Sequence, residues 1–69
     1  MPLSMCGNGA VCTVKKVGGN SAVRQHLNNL GFNVGTPVTV VSTLDGNLIV
    51  RVRDARVAID RMMANRILV

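Results

Sequence analysis

Four side chains near the start of this sequence, Met5, Cys6, Cys12 and His26, carry the soft or borderline donors that transition metals take. Cys-x5-Cys with a lone His further on matches none of the paired spacings of structural zinc sites. Cys6, Cys12 and His26 are therefore metal candidates without an assigned ligand set. Read for packing instead, Cys6 is a lead-in residue, Cys12 a small core hydrophobe and His26 an edge histidine beside an apolar stripe.

Catalysis by paired acids and bases has little to draw on. The chain holds one His, three Asp and no Glu, and no serine stands in a nucleophile-elbow context. Asp45 and Asp54 fall where tight turns favour Asp, and Asp60 where a helix cap does. Gly18-Gly19 precede a predicted helix, but no Lys-Ser/Thr pair follows at the spacing of a phosphate-binding loop. The expectation is a protein that is no enzyme and carries no cofactor.

The arginines make the stronger pattern. Arg51, Arg53, Arg56 and Arg61 cluster in sequence, and Arg51 and Arg53 are expected on one strand face, from which they could grip phosphates or carboxylates. Arg24 on the helix and Lys15-Lys16 on the first strand are further candidates for the patch, and the sequence alone does not place them on it. Strand-exposed arginines also discourage unwanted edge pairing.

The elements that must position these residues are short. Met1 to Gly9, with Pro2, Gly7 and Gly9, predicts an irregular, loosely packed lead-in. Ala10 to Val17 alternates with Ala10, Cys12 and Val14 on one face, predicting a half-buried first strand, which Gly18-Gly19-Asn20 ends. Ser21 is the expected cap of a helix whose Val23, Leu27 and Leu30 form one apolar stripe and whose stop is Gly31. After a turn over residues 33–37, a second strand runs to Ser42. Asp45-Gly46 closes a hairpin, and a third strand points Leu48, Val50 and Val52 inward. Asp54-Ala55 is read as a further tight turn, Arg56 to Ile59 as a fourth strand, Asp60 as the cap of a helical turn through Ala64, and Ile67 to Val69 as the last strand. The fold class is mainly β. It is a small five-stranded barrel with one short α-helix after strand one and a helical turn before the last strand, and residues 1–69 make one domain.

Composition narrows the function. Twelve Val, six Leu and three Ile suit strands. Phe32 is the one aromatic residue, which disfavours base-stacking platforms and aromatic peptide grooves. A net charge of +5 suits an acidic partner or a phosphate backbone. No signal-peptide pattern and no apolar run of membrane-spanning length is present, so the expected setting is cytoplasmic.

Taken along the whole chain, these residues resemble the FeoA family. Pro2-Leu3-Ser4, Gly9 and Gly18-Gly19 open the likeness. The run Arg24-x2-Leu27-x2-Leu30-Gly31-Phe32-x2-Gly35 is its most specific part, followed by Thr36, Val38-Thr39-Val40-Val41, Val57-Ala58-Ile59, Ala64 and Ile67-Leu68-Val69. Val34 stands where the family usually has Pro. The resemblance implies an SH3-like fold and an accessory role in bacterial ferrous-iron uptake, with the membrane iron transporter FeoB, through its cytosolic G-protein portion, as partner. The protein would reach the inner membrane only through that partner, with no nucleic acid expected. Two other readings are the SH3-like domain of metal-dependent transcriptional repressors and a basic nucleic-acid-binding barrel.

Overall fold

The computed structural model describes residues 1–69. A 3-10 turn over Leu3–Met5 leads into β1 (Val11–Thr13) and β2 (Lys16–Val17). Helix α1 (Ser21–Leu30) follows, then β3 (Pro37–Leu44), β4 (Asn47–Val52) and β5 (Ala55–Asp60), the one-turn helix α2 (Arg61–Ala64) and β6 (Ile67–Leu68). β1, β3, β4 and β5 form one antiparallel sheet in that order, and β2 pairs with β6 in a second. The fold is mainly β, as expected from the sequence.

The single first strand expected over residues 10–17 is divided between these two sheets. Cys12 lies opposite Val38 in the first sheet, whereas Lys16 lies opposite Leu68 in the second. At the corner, the Val14 N–H donates to the Thr36 carbonyl at 3.0 Å and the Lys15 N–H to the Leu68 carbonyl at 2.7 Å. One extended segment thus changes partner without losing its hydrogen bonds, which is how a strand passes from one sheet to another. Counted as one strand, β1 with β2 restores the expected five. The inward alternation also holds: Val14 is buried and Cys12 half-buried, while Val11 and Thr13 are exposed.

Helix α1 buries Leu27 and half-buries Val23 and Leu30, leaving Arg24, Gln25, Asn28 and Asn29 exposed. Its cap is Asn20, not Ser21. The Asn20 Oδ1 accepts from the Val23 N–H at 2.9 Å while Asn20 itself is extended, and Ser21 is the first helical residue. Either residue type suits the position, and the Gly18-Gly19 bend decides which one arrives there. We expect Asn20→Ala to lower stability by about 1 kcal/mol and Ser21→Ala by much less. Urea denaturation of the two variants measures this, and equal losses would contradict the assignment.

The core contradicts the loose lead-in. Leu3 is fully buried and Cys6 nearly so, both within one apolar cluster with Phe32, Leu27 and the inward residues of β3 and β4. Met1 and Val69 exchange backbone hydrogen bonds in both directions, Pro2 bridges to Leu68, and the Ser4 hydroxyl donates to the Asn65 side-chain carbonyl. The two ends of the chain hold each other.

The hairpin at Asp45-Gly46 forms as predicted, with both residues at positive φ, 51° and 82°, the requirement of the tight turn that matches strand twist. β3 runs two residues past Ser42 and carries a bulge between Val40 and Ser42. Without the bulge, Ser42 and Thr43 would exchange faces.

Candidate docking face

The register of β3, β4 and β5 fixes the faces of the arginines. Val50 stands opposite both Val40 and Val57, and Leu48 opposite Ile59, all on the core side. The alternate positions must then face outward, and Arg51 lies between Thr39 on β3 and Arg56 on β5. Both arginines are exposed. Two guanidiniums directly opposite each other on neighbouring strands repel. Neither makes a side-chain hydrogen bond within the chain; the one arginine that does is Arg24, whose guanidinium donates to the Ser21 hydroxyl at 3.5 Å. Their outward row is continued across β3 by Thr39 and on β1 by Val11, which is 66% exposed.

Arg53 does not share this face. The turn after β4 is Arg53-Asp54 rather than Asp54-Ala55, because Val52 pairs with Ala55. Arg53 has φ 56°. Its side chain lies over the carboxyl end of α1: a β-carbon placed on Gly31 would stand 3.6 Å from both its Cδ and its Nε. A cation there complements the helix dipole, which is a structural role for this residue.

Arg61 is also apart. It begins α2 beyond the far end of β5, and at about 3.3 Å per strand residue it lies roughly 16 Å along the chain from Arg56. Arg24 projects from the exposed side of α1. The four-arginine cluster of the sequence therefore resolves into one pair, Arg51 with Arg56, and separate single charges. Arg66, which the sequence reading did not single out, follows α2; its Cδ would lie 3.8 Å from a β-carbon on Gly19. No local spacing links those two positions.

The metal candidates separate similarly. The Sγ atoms of Cys6 and Cys12 are 2.7 Å apart, while His26 is exposed on α1. The thiols meet because the lead-in folds onto the core and carries Cys6 inward, reversing the expected roles: Cys6 is 9% exposed and Cys12 is half-buried at the margin. Burial, reinforced by the hydrogen bond with Cys12, pushes the Cys6 thiol up to about 11. It is uncharged at neutral pH and behaves as a small apolar side chain. No group of three or more His, Cys, Asp or Glu side chains that could hold a metal ion occurs.

The three carboxylates sit where turn and cap chemistry puts them. Asp60 Oδ1 accepts from the Met63 N–H at 2.7 Å and caps α2. Asp45 and Asp54 occupy the two tight turns. The surface contains no pocket, and no helix is long and apolar enough to cross a membrane. The outer face of the sheet carries a pair of cations.

Comparison with known proteins agrees with this architecture. A protein named as an Fe(2+) transport protein A, from Methanocaldococcus jannaschii, is 29% identical over 99% of this chain and 83% of its own length. A crystal structure of an iron uptake regulatory protein, FeoA, superposes with a TM-score of 0.88 at 32% identity, covering 96% of this chain and 88% of the other. The zinc complex of FeoA from Stenotrophomonas maltophilia, described as an SH3 domain protein, gives 0.86 at 28% identity, over 99% of this chain and 87% of the other. With a family model described as the FeoA domain matching residues 1–69, and with the SH3-like arrangement of strands described above, the chain belongs to the FeoA family.

Proposed function

We propose that the protein is an accessory of ferrous-iron uptake in the cytoplasm. It acts by docking the outer face of its sheet onto the cytosolic G-protein portion of a FeoB-type membrane transporter, and not by catalysis. Family membership supports the transport role. The observation that carries the docking surface is the Arg51–Arg56 pair, two exposed guanidiniums held side by side by strand register with no carboxylate bonded to either. Such a pair is destabilising alone and favourable once an acidic surface meets it, because each guanidinium presents a planar fork that matches a carboxylate. A small rigid barrel pressing on a G-protein domain would bias whichever state of the switch fits it better.

The test is binding to the transporter's isolated cytosolic portion. We expect Arg51→Ala/Arg56→Ala to weaken it tenfold or more, in line with the roughly 1.5–3 kcal/mol of a hydrogen bond to a charged group. Arg61→Ala should change it little, and raising the salt concentration should weaken the native interaction. Wild-type affinity in a folded double variant would remove this face from the mechanism.

A further inference from the structure

β5 is an open edge. It pairs with β4 along its whole length, Ala55–Asp60, and ends the order of its sheet. A two-residue turn closed by Val52 and Ala55 makes Ala55, Val57 and Ile59 the hydrogen-bonded positions towards β4. The backbone groups of Arg56, Ala58 and Asp60 therefore point away from the sheet. No backbone bond outside the helices and strand ladders uses any residue of β5. The side chains of these three residues are exposed and lie on the same outer face, opposite Arg51, Ile49 and Asn47.

An unpaired edge is a template for another strand, and the sequence along this one selects its occupant. Two copies of β5 paired antiparallel about a two-fold axis at Ala58 place Ala58 against Ala58 of the second copy. Arg56 then faces Asp60 of the second copy, twice by symmetry. Arg56 and Ala58 have their backbone groups free and Asp60 its N–H, the Asp60 carbonyl opening α2, and charge favours this register. On the inner face the same register sets Val57 against Ile59. An axis at Val57 would instead oppose Asp54 and Asp60, and an axis at Arg56 would oppose two arginines; both join like charges. Only one Asp60 oxygen is bonded within the chain, to the Met63 N–H, which leaves Oδ2 for the guanidinium. The carboxylate also reaches an arginine that already has Arg51 on its other side.

We propose that the protein self-associates through β5 into a two-fold homodimer with a continuous eight-stranded sheet. The inference rests on the edge of β5 and not on the transporter reading, although Arg56 serves in both. Two paired six-residue edges form a contact at the small end of the range for specific complexes, so the dimer is a weak one.

Sedimentation equilibrium over about 10 µM to 1 mM reads it directly. The wild type should approach twice the monomer mass at the upper end. Ala58→Lys and Ala58→Glu, each at an exposed position, should both remain monomeric, because the two-fold axis sets like charges against each other. Mixed in equal amounts, the two variants should recover a dimer, since Lys then faces Glu. A wild type that stays monomeric throughout would overturn the proposal. So would an Ala58→Lys variant that dimerises as the wild type does, or a mixture that stays monomeric. If circular dichroism shows either Ala58 variant to be unfolded, Arg56→Asp, which sets two carboxylates against each other, replaces the pair: loss of the dimer supports the register and retention overturns it.

Discussion

Phe32→Ala should lose about 3–5 kcal/mol of folding stability, the range for removing a buried aromatic side chain from a packed core. At the usual 0.05–0.15 kcal/mol per residue, a 69-residue chain has a total of roughly 3–10 kcal/mol, so the variant loses between about a third and all of its stability. Phe32 is fully buried and is the largest side chain in the core. It is also held from the backbone: its N–H donates to the Leu27 carbonyl at 3.0 Å while the Gly31 N–H donates to that of Asn28. This pair of bonds closes the helix and directs the next residue back over its last turn, where Leu27 is also fully buried. Leu27 and Phe32 thus serve both the helix end and the core. Equilibrium urea unfolding should show the transition shifted to low denaturant or absent, with Phe32→Leu in between. A loss below about 1.5 kcal/mol would mean that the ring does not fill this core.

Gly31→Ala should cost about 2 kcal/mol for two separable reasons. Gly31 has φ 111° and ψ 0°, a left-handed conformation that costs an L-residue with a β-carbon about 1–2 kcal/mol. The added carbon would also stand 3.3 Å from Val52 Cγ2, in addition to its approach to Arg53, and Val52 is itself buried with little room to yield. Gly7→Ala is the control, since a β-carbon there meets nothing within 4 Å and the change should stay within about 0.5 kcal/mol. Thermal or urea unfolding of the two variants separates them, and equal midpoints would refute the account of Gly31. Should Gly31→Ala prove mild, Arg53→Ala in the same background would show whether the arginine had moved aside.

The effects on fold and on docking are separable by design. Arg51 and Arg56 are exposed and touch no core residue through register, whereas Phe32 and Gly31 act on the core and the helix end. A loss of transporter binding in Arg51→Ala/Arg56→Ala at unchanged stability and unchanged oligomeric state therefore reports on the docking face alone.

Local elements were legible because their signals are local. The stripe Val23, Leu27, Leu30, the glycine stop, the Asp45-Gly46 hairpin and the cap at Asp60 all depend on residues within one or two turns of each other. The family likeness drew on the same runs. The candidate site was legible in part. Arg51 was expected on an outward strand face and is there, but Arg53 was expected beside it and lies in the turn. Asp54 favours a turn as either its first or its second residue. The choice is made by inward pairing of Val50 with Val57 and Leu48 with Ile59, which forces Val52 opposite Ala55.

The sequence by itself determined a mainly β fold with one amphipathic helix and put Arg51 on an outward strand face. Alternation and composition carry that information without any long-range contact. The tertiary structure decided that the lead-in is part of the core, that the first strand belongs to two sheets, that Cys6 meets Cys12 while His26 does not, and that the arginine cluster reduces to Arg51 with Arg56. Each of these depends on which distant segment lies alongside, and a one-residue change of register would reverse the faces. Burying the inward valines selects the register, and the register then places Arg51 beside Arg56 on the outer surface of the sheet.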